Sequence, residues 1–364
     1  MKIKDIIQDL ETWAPRRYQE SYDNSGLLVG DSEVEVSGVM VCLDVTEDIL
    51  SEAKSKNCNL IVAHHPIIFK GLKKLTGGHY TERIVIQAIQ NDLAIYAIHT
   101  NLDNQYQGVN QMIGQKLGLN NLEILRPMKD RLKKLATYVP HAHTERVMNA
   151  MFEAGAGEIG DYGECSFRWK GKGTFKAKEG SSPFVGEIGE RHSEEEDRVE
   201  VIFPEHLASR ITQAMKQAHP YEEVAFEIYK LDQAHEKLGA GMIGELENPM
   251  KEEAFFSMVK EKMEVQVIRH TGFLGKPIQK IAFCGGSGFF LLEDAKASGA
   301  QVYITSDVKY HEFMEADQDL ILMDIGHFES EHFTSLWIRD YLAQKFHTFA
   351  VLLADQERNP INYF

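Results

Sequence analysis

Residues 60–66, Leu60-Ile61-Val62-Ala63-His64-His65-Pro66, decide how this chain is read: four apolar residues in a row, two histidines, then a proline. A strand apolar on both faces belongs in a parallel sheet covered by helices on each side, and Pro66 removes the donor that would let it continue. Outward from it, the runs at 39–43 and 93–98 repeat the pattern, with helical apolar spacing from about residue 46, over 83–89 and over 109–117. The alternation predicts a doubly wound, mostly parallel α/β sheet, whose ligands collect at the carboxyl ends of the strands.

Beyond Arg126-Pro127 the texture changes. Residues 133–139 read as a strand, 144–153 as a helix, 165–175 and 184–189 as Gly-punctuated strands, 199–203 as a strand, 205–218 as a helix and 224–231 as a strand. A β-α-β-β-α-β order with one additional strand predicts a ferredoxin-like α+β module. The first texture returns at Leu238, with apolar strands at 278–283, 302–305, 320–323 and 349–353. The predicted organisation is a discontinuous α/β metal-binding domain, 1–126 and 238–364, interrupted by an inserted ferredoxin-like domain at 127–237. The charged run Ser193-Glu194-Glu195-Glu196-Asp197 reads as a solvated hairpin loop.

Three predicted strand ends carry the chemistry: His64-His65-Pro66, His99-Thr100-Asn101-Leu102-Asp103, and Asp324-Ile325-Gly326-His327-Phe328-Glu329-Ser330-Glu331. In a single doubly wound sheet such ends lie side by side. His64 and His65 are consecutive in extended chain, so their rings diverge and can serve two ions. His327 and Glu331 are four apart at a helix start, which puts them on one face, as in motifs where i, i+4 ligands grip one metal. Asp103 lies between these pairs and is the candidate bridge. Three imidazoles with two carboxylates form a borderline N/O donor set suited to Zn, Fe, Mn or Ni better than to Ca or Mg. A lone His-His pair is usually a surface or capping feature. Three clusters at three strand ends point instead to two divalent transition-metal ions per chain.

Asp307 and His311, just after the strand at 302–305, are the candidates for proton transfer or substrate contact, with helix capping the competing role for Asp307. His99 reads as a residue behind the metal, as a weak ligand, or as a hydrogen-bonded core histidine. Cys284-Gly285-Gly286-Ser287-Gly288 follows a strand and opens a helix, so it is either a phosphate cradle or a tight turn. Gly239-Ala240-Gly241-Met242-Ile243-Gly244 has dinucleotide-loop spacing, but Glu245-Leu246-Glu247-Asn248-Pro249 follows it in place of a helix, and it reads as a bent strand.

These stretches resemble the signatures of the Nif-three-like dinuclear metal-centre family, the GTP cyclohydrolase I type 2 homologues. The resemblance spans essentially the whole chain: His64-His65-Pro66, Tyr96 to Asp103, Gly326-His327-x-x-Ser330-Glu331, Asp23-Asn24-Ser25-Gly26-Leu27 and Cys284 to Gly288 all match. It implies metal ligands at His64, His65, Asp103, His327 and Glu331. Family members often carry Thr-Gly-Asp where this chain has Thr305-Ser306-Asp307. The inserted region, with Gly155-x-Gly157-x-Ile159-Gly160-x-Tyr162 and His219-Pro220-Tyr221-Glu222-Glu223, is similar to the P-II/CutA-like trimer-forming module of longer members. The resemblance further implies a homohexamer of two stacked trimers with the metal sites facing an internal cavity. The family label implies attack at C8 of a guanine nucleotide with loss of formate.

Composition limits the alternatives. The 364 residues carry 39 Lys and Arg against 55 Asp and Glu, a net charge of −16, which opposes binding to nucleic acid or anionic membrane. The basic stretch Lys129, Arg131, Lys133, Lys134 reads as a solvated linker. Four scattered cysteines without a CxxC favour a reduced, cytoplasmic setting, and the acidic, discontinuous N-terminal helix argues against a signal peptide. No run approaches the length of a membrane span. The function expected from all of this is a metal-dependent hydrolase acting on a nucleotide or phosphoester. The alternative is a non-catalytic, metal-loaded ring that serves as a regulatory or partner-binding scaffold.

Overall fold

The computed structural model describes all 364 residues. Its strands are β1 (Gly26–Val29), β2 (Gly38–Cys42), β3 (Leu60–Ala63), β4 (Ala94–Ala97), β5 (Asn120–Met128), β6 (Leu132–Pro140), β7 (Ser166–Lys176) and β8 (Arg191–Pro204). They continue with β9 (Phe226–Leu231), β10 (His235–Met250), β11 (Arg269–His270), β12 (Ile278–Phe283), β13 (Val302–Thr305), β14 (Ile321–Asp324) and β15 (Ala350–Leu353). The chain divides into two compact units, Met1–Pro127 with Glu236–Phe364, and Met128–His235.

The larger unit corrects one expectation: it holds two sheets rather than one. The first runs β1-β4-β3-β2-β15, and the second runs β11-β14-β13-β12-β10-β5. In the first, β4, β3, β2 and β15 are parallel and β1 joins antiparallel; in the second, β12, β13 and β14 are parallel. A continuous apolar strand looks the same whichever parallel sheet it joins, so the sequence does not distinguish one sheet from two. Side-chain alternation sorts the first sheet into two faces. Val39, Val41, Leu60, Val62 and Tyr96 join a core shared with Ile281, Phe283, Ile304 and Met323 of the second sheet, filled between by Val109, Phe255, Ile338 and Leu342 from helices. Met40, Cys42, Ile61, Ala63 and Ile95 face the opposite way, against the helices Glu47–Ser55 and Tyr80–Gln90. The GxGxxG stretch lies inside β10, as its continuation without a helix predicts.

Where β2 ends, the backbone N–H of Leu43 donates to the Glu357 carboxylate, and Ser335 Oγ donates to it at 3.3 Å. Burial outweighs these bonds and pushes the Glu357 carboxyl up to about 7. Its unfolded value is near 4.3, so the ionised form is penalised in the folded chain: the contribution of this one group to stability is fully present below pH ~4.3 and is lost as pH rises towards 7. Glu357→Gln keeps an acceptor for Leu43 and removes the titration. It is expected to raise stability at pH 8 by about 1–2 kcal/mol and to flatten the pH dependence between 4.5 and 7. Thermal melts across that range check this.

The smaller unit is a four-stranded sheet in the order β7-β8-β6-β9, with every neighbour antiparallel. Helices Thr144–Glu153 and Ala208–Ala218 cover one face, where Leu135, Val139, Val147, Val199, Val201, Phe203, Ile211 and Met215 form the core. Two local expectations fail here. Residues 184–189 form no strand beyond a single bridge from Ala177 to Ile188. The run Ser193–Asp197 is no solvated loop: it lies inside β8, paired with β7, and Glu196 and Asp197 are buried. Buried partners explain it, since Thr144 Oγ1 donates to Asp197 and the Tyr221 hydroxyl donates to Glu196. The basic stretch is also committed, with Arg131 and Lys133 paired to Glu205 and Lys134 to Glu200.

Candidate metal centre

His64 and His65 extend β3 past its last residue, their N–H groups donating to the carbonyls of Cys42 (3.0 Å) and Leu43 (2.9 Å) in the neighbouring strand. His99 follows β4 in the same sheet, and a four-residue helical turn, Thr100–Asp103, returns Asp103 towards His64. His327 and Glu331 come from the other sheet, on the short helix His327–Glu331 that follows β14. The five predicted ligands therefore meet, but through the strand ends of two sheets.

Each imidazole is fixed from behind. His64 Nδ1 lies 2.8 Å from the Ile98 carbonyl, His65 Nδ1 2.9 Å from Asp44, His99 Nδ1 2.7 Å from Asp23 and His327 Nδ1 2.7 Å from Asp307. A carbonyl or carboxylate only accepts, so every Nδ1 carries the proton and donates it outward. That leaves four Nε2 atoms for the interior, the arrangement in which a metal-binding histidine is held by a partner on its other nitrogen.

Glu331 stands at the middle. Its side chain is 3% exposed; Oε2 lies 3.0 Å from both His65 Nε2 and His327 Nε2, and Oε1 lies 3.9 Å from His64 Nε2. His65, His327 and Glu331 form one group able to hold a cation, and His64, Asp103 and Glu331 form a second. Glu331 is the carboxylate the two groups share, and Asp103, the expected bridge, stands in the second of them. His64, His65 and His99 form a third group, so His99 stands closer to the cluster than a core histidine would. His64 Nε2 and Asp103 Oδ1, 3.5 Å apart, are both buried without a hydrogen-bond partner. Buried polar atoms are rarely left so, and a shared cation satisfies both.

Electrostatics agree. Burial opposes a charge on His65, yet hydrogen bonds to Asp44 and Glu331 lift it to about 10; burial likewise opposes His327, which Glu331 and Asp307 lift to about 11. Burial drives His64 down to about 3 and pushes Asp103 well above the carboxylate range, with the Glu331 charge adding to the second effect. Burial alone would raise Glu331, but attraction to His327 and hydrogen bonds from His327 and His65 hold it well below its ordinary value. Protons and divalent cations thus compete for the same inner atoms.

Two further candidates fall out differently. Asp307 sits in left-handed backbone (φ 57°) and orients His327, so it is neither an N-cap nor a free acid. His311 is exposed with its ring edge-on to Tyr310 at 5.2 Å, and it is not brought to the cluster. The Gly285–Gly288 turn is no phosphate cradle: the N–H groups of Gly285, Gly286 and Gly288 donate to Asn110, Ser330 and Thr305. It makes room for the carboxylate instead, because a Cβ on Gly286 would fall 2.4 Å from Glu331 Oε1. Sequence reading missed Asp44 and the role of Asp23, although Asp44 sits two residues past the β2–β3 partners Cys42 and Ala63, level with His65. Beside His65 opens a cavity of ≈ 550 Å³ lined by Asp44, Glu47, Asp48, Pro66, Tyr80 and Arg358.

A model of the family Duf34/NIF3 (NGG1p interacting factor 3) matches residues 1–360. The chain is 39% identical over 327 residues to "GTP cyclohydrolase 1 type 2 homolog" of Bacillus subtilis (strain 168), covering 89% of this chain and 88% of that protein. It is 35% identical to the protein of the same name in Staphylococcus aureus (strain MSSA476), covering 100% and 98%. Among solved structures, a Bacillus cereus protein related to NIF3 superposes with a TM-score of 0.89 at 35% identity, covering 100% of this chain and 99% of that one. No helix is long and apolar enough to cross a membrane.

Proposed function

The chain belongs to the Duf34/NIF3 family, and from that premise we propose that His64, His65, Asp103, His327 and Glu331 hold two divalent transition-metal ions in a hydrolase acting on a nucleotide or phosphoester. The observation that carries this reading is Glu331, whose two oxygens face two different histidine groups around a pair of unpartnered buried atoms. Zinc, iron or manganese in such a donor set supplies an acidified water and positive charge for a developing oxyanion. The chain's own residues do the positioning. Ile98 O, Asp44 and Asp307 fix the tautomers of His64, His65 and His327, while Gly286 lets Glu331 approach.

Asp307 is accordingly a positioning residue. Asp307→Asn is expected to weaken metal affinity by about 10–100-fold, the usual effect of losing a partner behind a metal-bound histidine. Competition against a chromogenic chelator measures it, and turnover restored at saturating metal separates positioning from catalysis.

The second reading, a metal-loaded scaffold, draws on the cavity beside His65, whose charged lining is three carboxylates against Arg358, and on the spent N–H groups of the glycine turn. Neither welcomes a triphosphate. Assembly into six copies as two trimers belongs to this proposal too; Phe167 and Tyr229, 68% and 44% exposed on the open face of the smaller unit's sheet, are apolar surface that assembly would cover. Sedimentation should then give six times the 41.3 kDa chain mass. The deciding experiment assays metal-replete protein against nucleotides and phosphoesters beside a His64→Ala, Asp103→Ala variant. Metal-dependent turnover lost in the variant supports the hydrolase, and no turnover of any substrate by loaded protein leaves the scaffold.

A further inference from the structure

The two sheets that meet at the metal centre share an apolar core but no strand pairing. Apolar packing is non-directional, whereas a metal site needs its ligand distances right to about 0.2 Å. Directional bonds are therefore needed to set His327 and Glu331 against His64, His65 and Asp103. Residues 355–359, which follow β15, run from the first sheet to the metal helix and make such bonds on both sides.

The root of this segment is tied to the helix Glu47–Ser55, where the backbone N–H groups of Asp355 and Gln356 donate to the buried Glu52 carboxylate at 2.9 and 3.0 Å. Glu357 then accepts from the N–H of Leu43, and the Leu43 carbonyl in turn holds the N–H of His65 at 2.9 Å. The same carboxylate accepts from Ser335 Oγ at 3.3 Å, on the helix Phe333–Lys345 that follows the metal helix. Two residues on, Asn359 Nδ2 donates to Glu329 Oε1 at 3.0 Å, while its Oδ1 accepts from the Ile361 N–H at 2.9 Å and so fixes the amide. Glu329 stands midway between His327 and Glu331, buried, and folded back so closely that a Cβ on Gly326 would fall 2.2 Å from its Oε2. Arg358 and Pro360 line the cavity beside His65, which puts the segment along the rim of the centre.

We infer, on the basis of the metal centre proposed above, that residues 355–359 are a strap that sets the spacing of its two donor halves. Glu357 and Asn359 are its positioning residues, Glu357 acting through Leu43 and Ser335 and Asn359 through Glu329. Neither touches a donor atom. Each fixes backbone that carries one, as outer hydrogen bonds do around a preorganised site.

The test titrates full-length, metal-free protein with cobalt(II), whose visible absorption reports both occupancy and coordination geometry. Asn359→Ala and Glu357→Ala should each weaken cobalt binding roughly tenfold, the low end of the effect of losing an outer partner, and should alter the spectrum at saturation. Glu357→Gln keeps an acceptor for Leu43 and should restore wild-type affinity and spectrum, a rescue that separates geometry from charge. Should Glu357→Ala fail to fold, Asn359→Ala decides alone, because it removes one hydrogen bond near the surface and leaves the metal-free fold standing. Wild-type affinity and spectrum in Asn359→Ala, whatever its melting temperature, make the strap merely structural and overturn the inference. Failure of Glu357→Gln to rescue overturns the part given to Glu357. Wild-type protein that takes up no cobalt removes the metal centre itself and the strap's role with it, an outcome distinct from wild-type protein and variants binding alike.

Discussion

Glu331→Gln is expected to strip the protein of its metal. The substitution preserves size and removes the negative charge that two histidine groups share, in a position 3% exposed where water cannot compensate. Loss of an outer hydrogen-bond partner costs about 10–100-fold in metal affinity, and loss of a central ligand should exceed that, by roughly 100-fold or more. Elemental analysis of wild type purified without chelator should find transition metal in the protein, and the variant should hold less than about a tenth of that amount. Ligands that bind only the folded state stabilise it by mass action, about 4 kcal/mol at a thousand times the dissociation constant, so added metal should raise the melting temperature of wild type and leave Glu331→Gln unmoved. Full metal content in the variant would refute the central place given to Glu331.

The second large effect is one of pH. Without metal, His65 and His327 are lifted to about 10 and 11, so both hold protons near neutrality, and burial with the Glu331 charge pushes Asp103 well above the carboxylate range. A cation needs the lone pairs, and its uptake must expel those protons. The sign follows: proton and metal compete, and apparent affinity rises as pH rises towards the values of His65 and His327. For each proton released the gain approaches about tenfold per pH unit, so the two histidine protons give a steep dependence between pH 6 and 8. Calorimetry in two buffers of different ionisation enthalpy counts the protons. A count of zero would mean that the cluster is not proton-loaded as described. The metal-free fold behaves conversely: raised histidine values mean that protonation stabilises it fully below pH ~6.5, and that contribution is lost as pH passes 10 to 11.

Much of this site is legible in sequence because strands with both faces buried are unmistakable and their carboxyl ends are where polar residues must turn outward. His64, His65, His99 and Asp103 follow directly from finding β3 and β4. His327 and Glu331 follow from helical spacing after β14. What stays hidden depends on lateral order. Whether β14 lies in the same sheet as β3 is a matter of pairing, which apolar content does not encode, and the nearness of Glu331 to both histidine groups depends on it. Asp44 hides for the same reason, since only the register of β2 against β3 sets it level with His65. The acidic run in β8 misleads because polarity suggests solvent, while Thr144, His141 and Tyr221 supply the partners that allow Glu196 and Asp197 to be buried.

The split of the site between two sheets also sets when it can exist during synthesis. His64, His65 and Asp103 leave the ribosome early, but His327 and Glu331 lie within the last forty residues of the chain, after the whole inserted unit has been made. At roughly 5–20 residues per second, more than ten seconds separate the two halves of the donor set. A nascent or truncated chain therefore offers an ion only part of the donor set, and the full set exists only in the finished protein. An ion held by all five residues would fasten the first third of the chain to the end of the last, like a clasp closing a loop of more than two hundred residues.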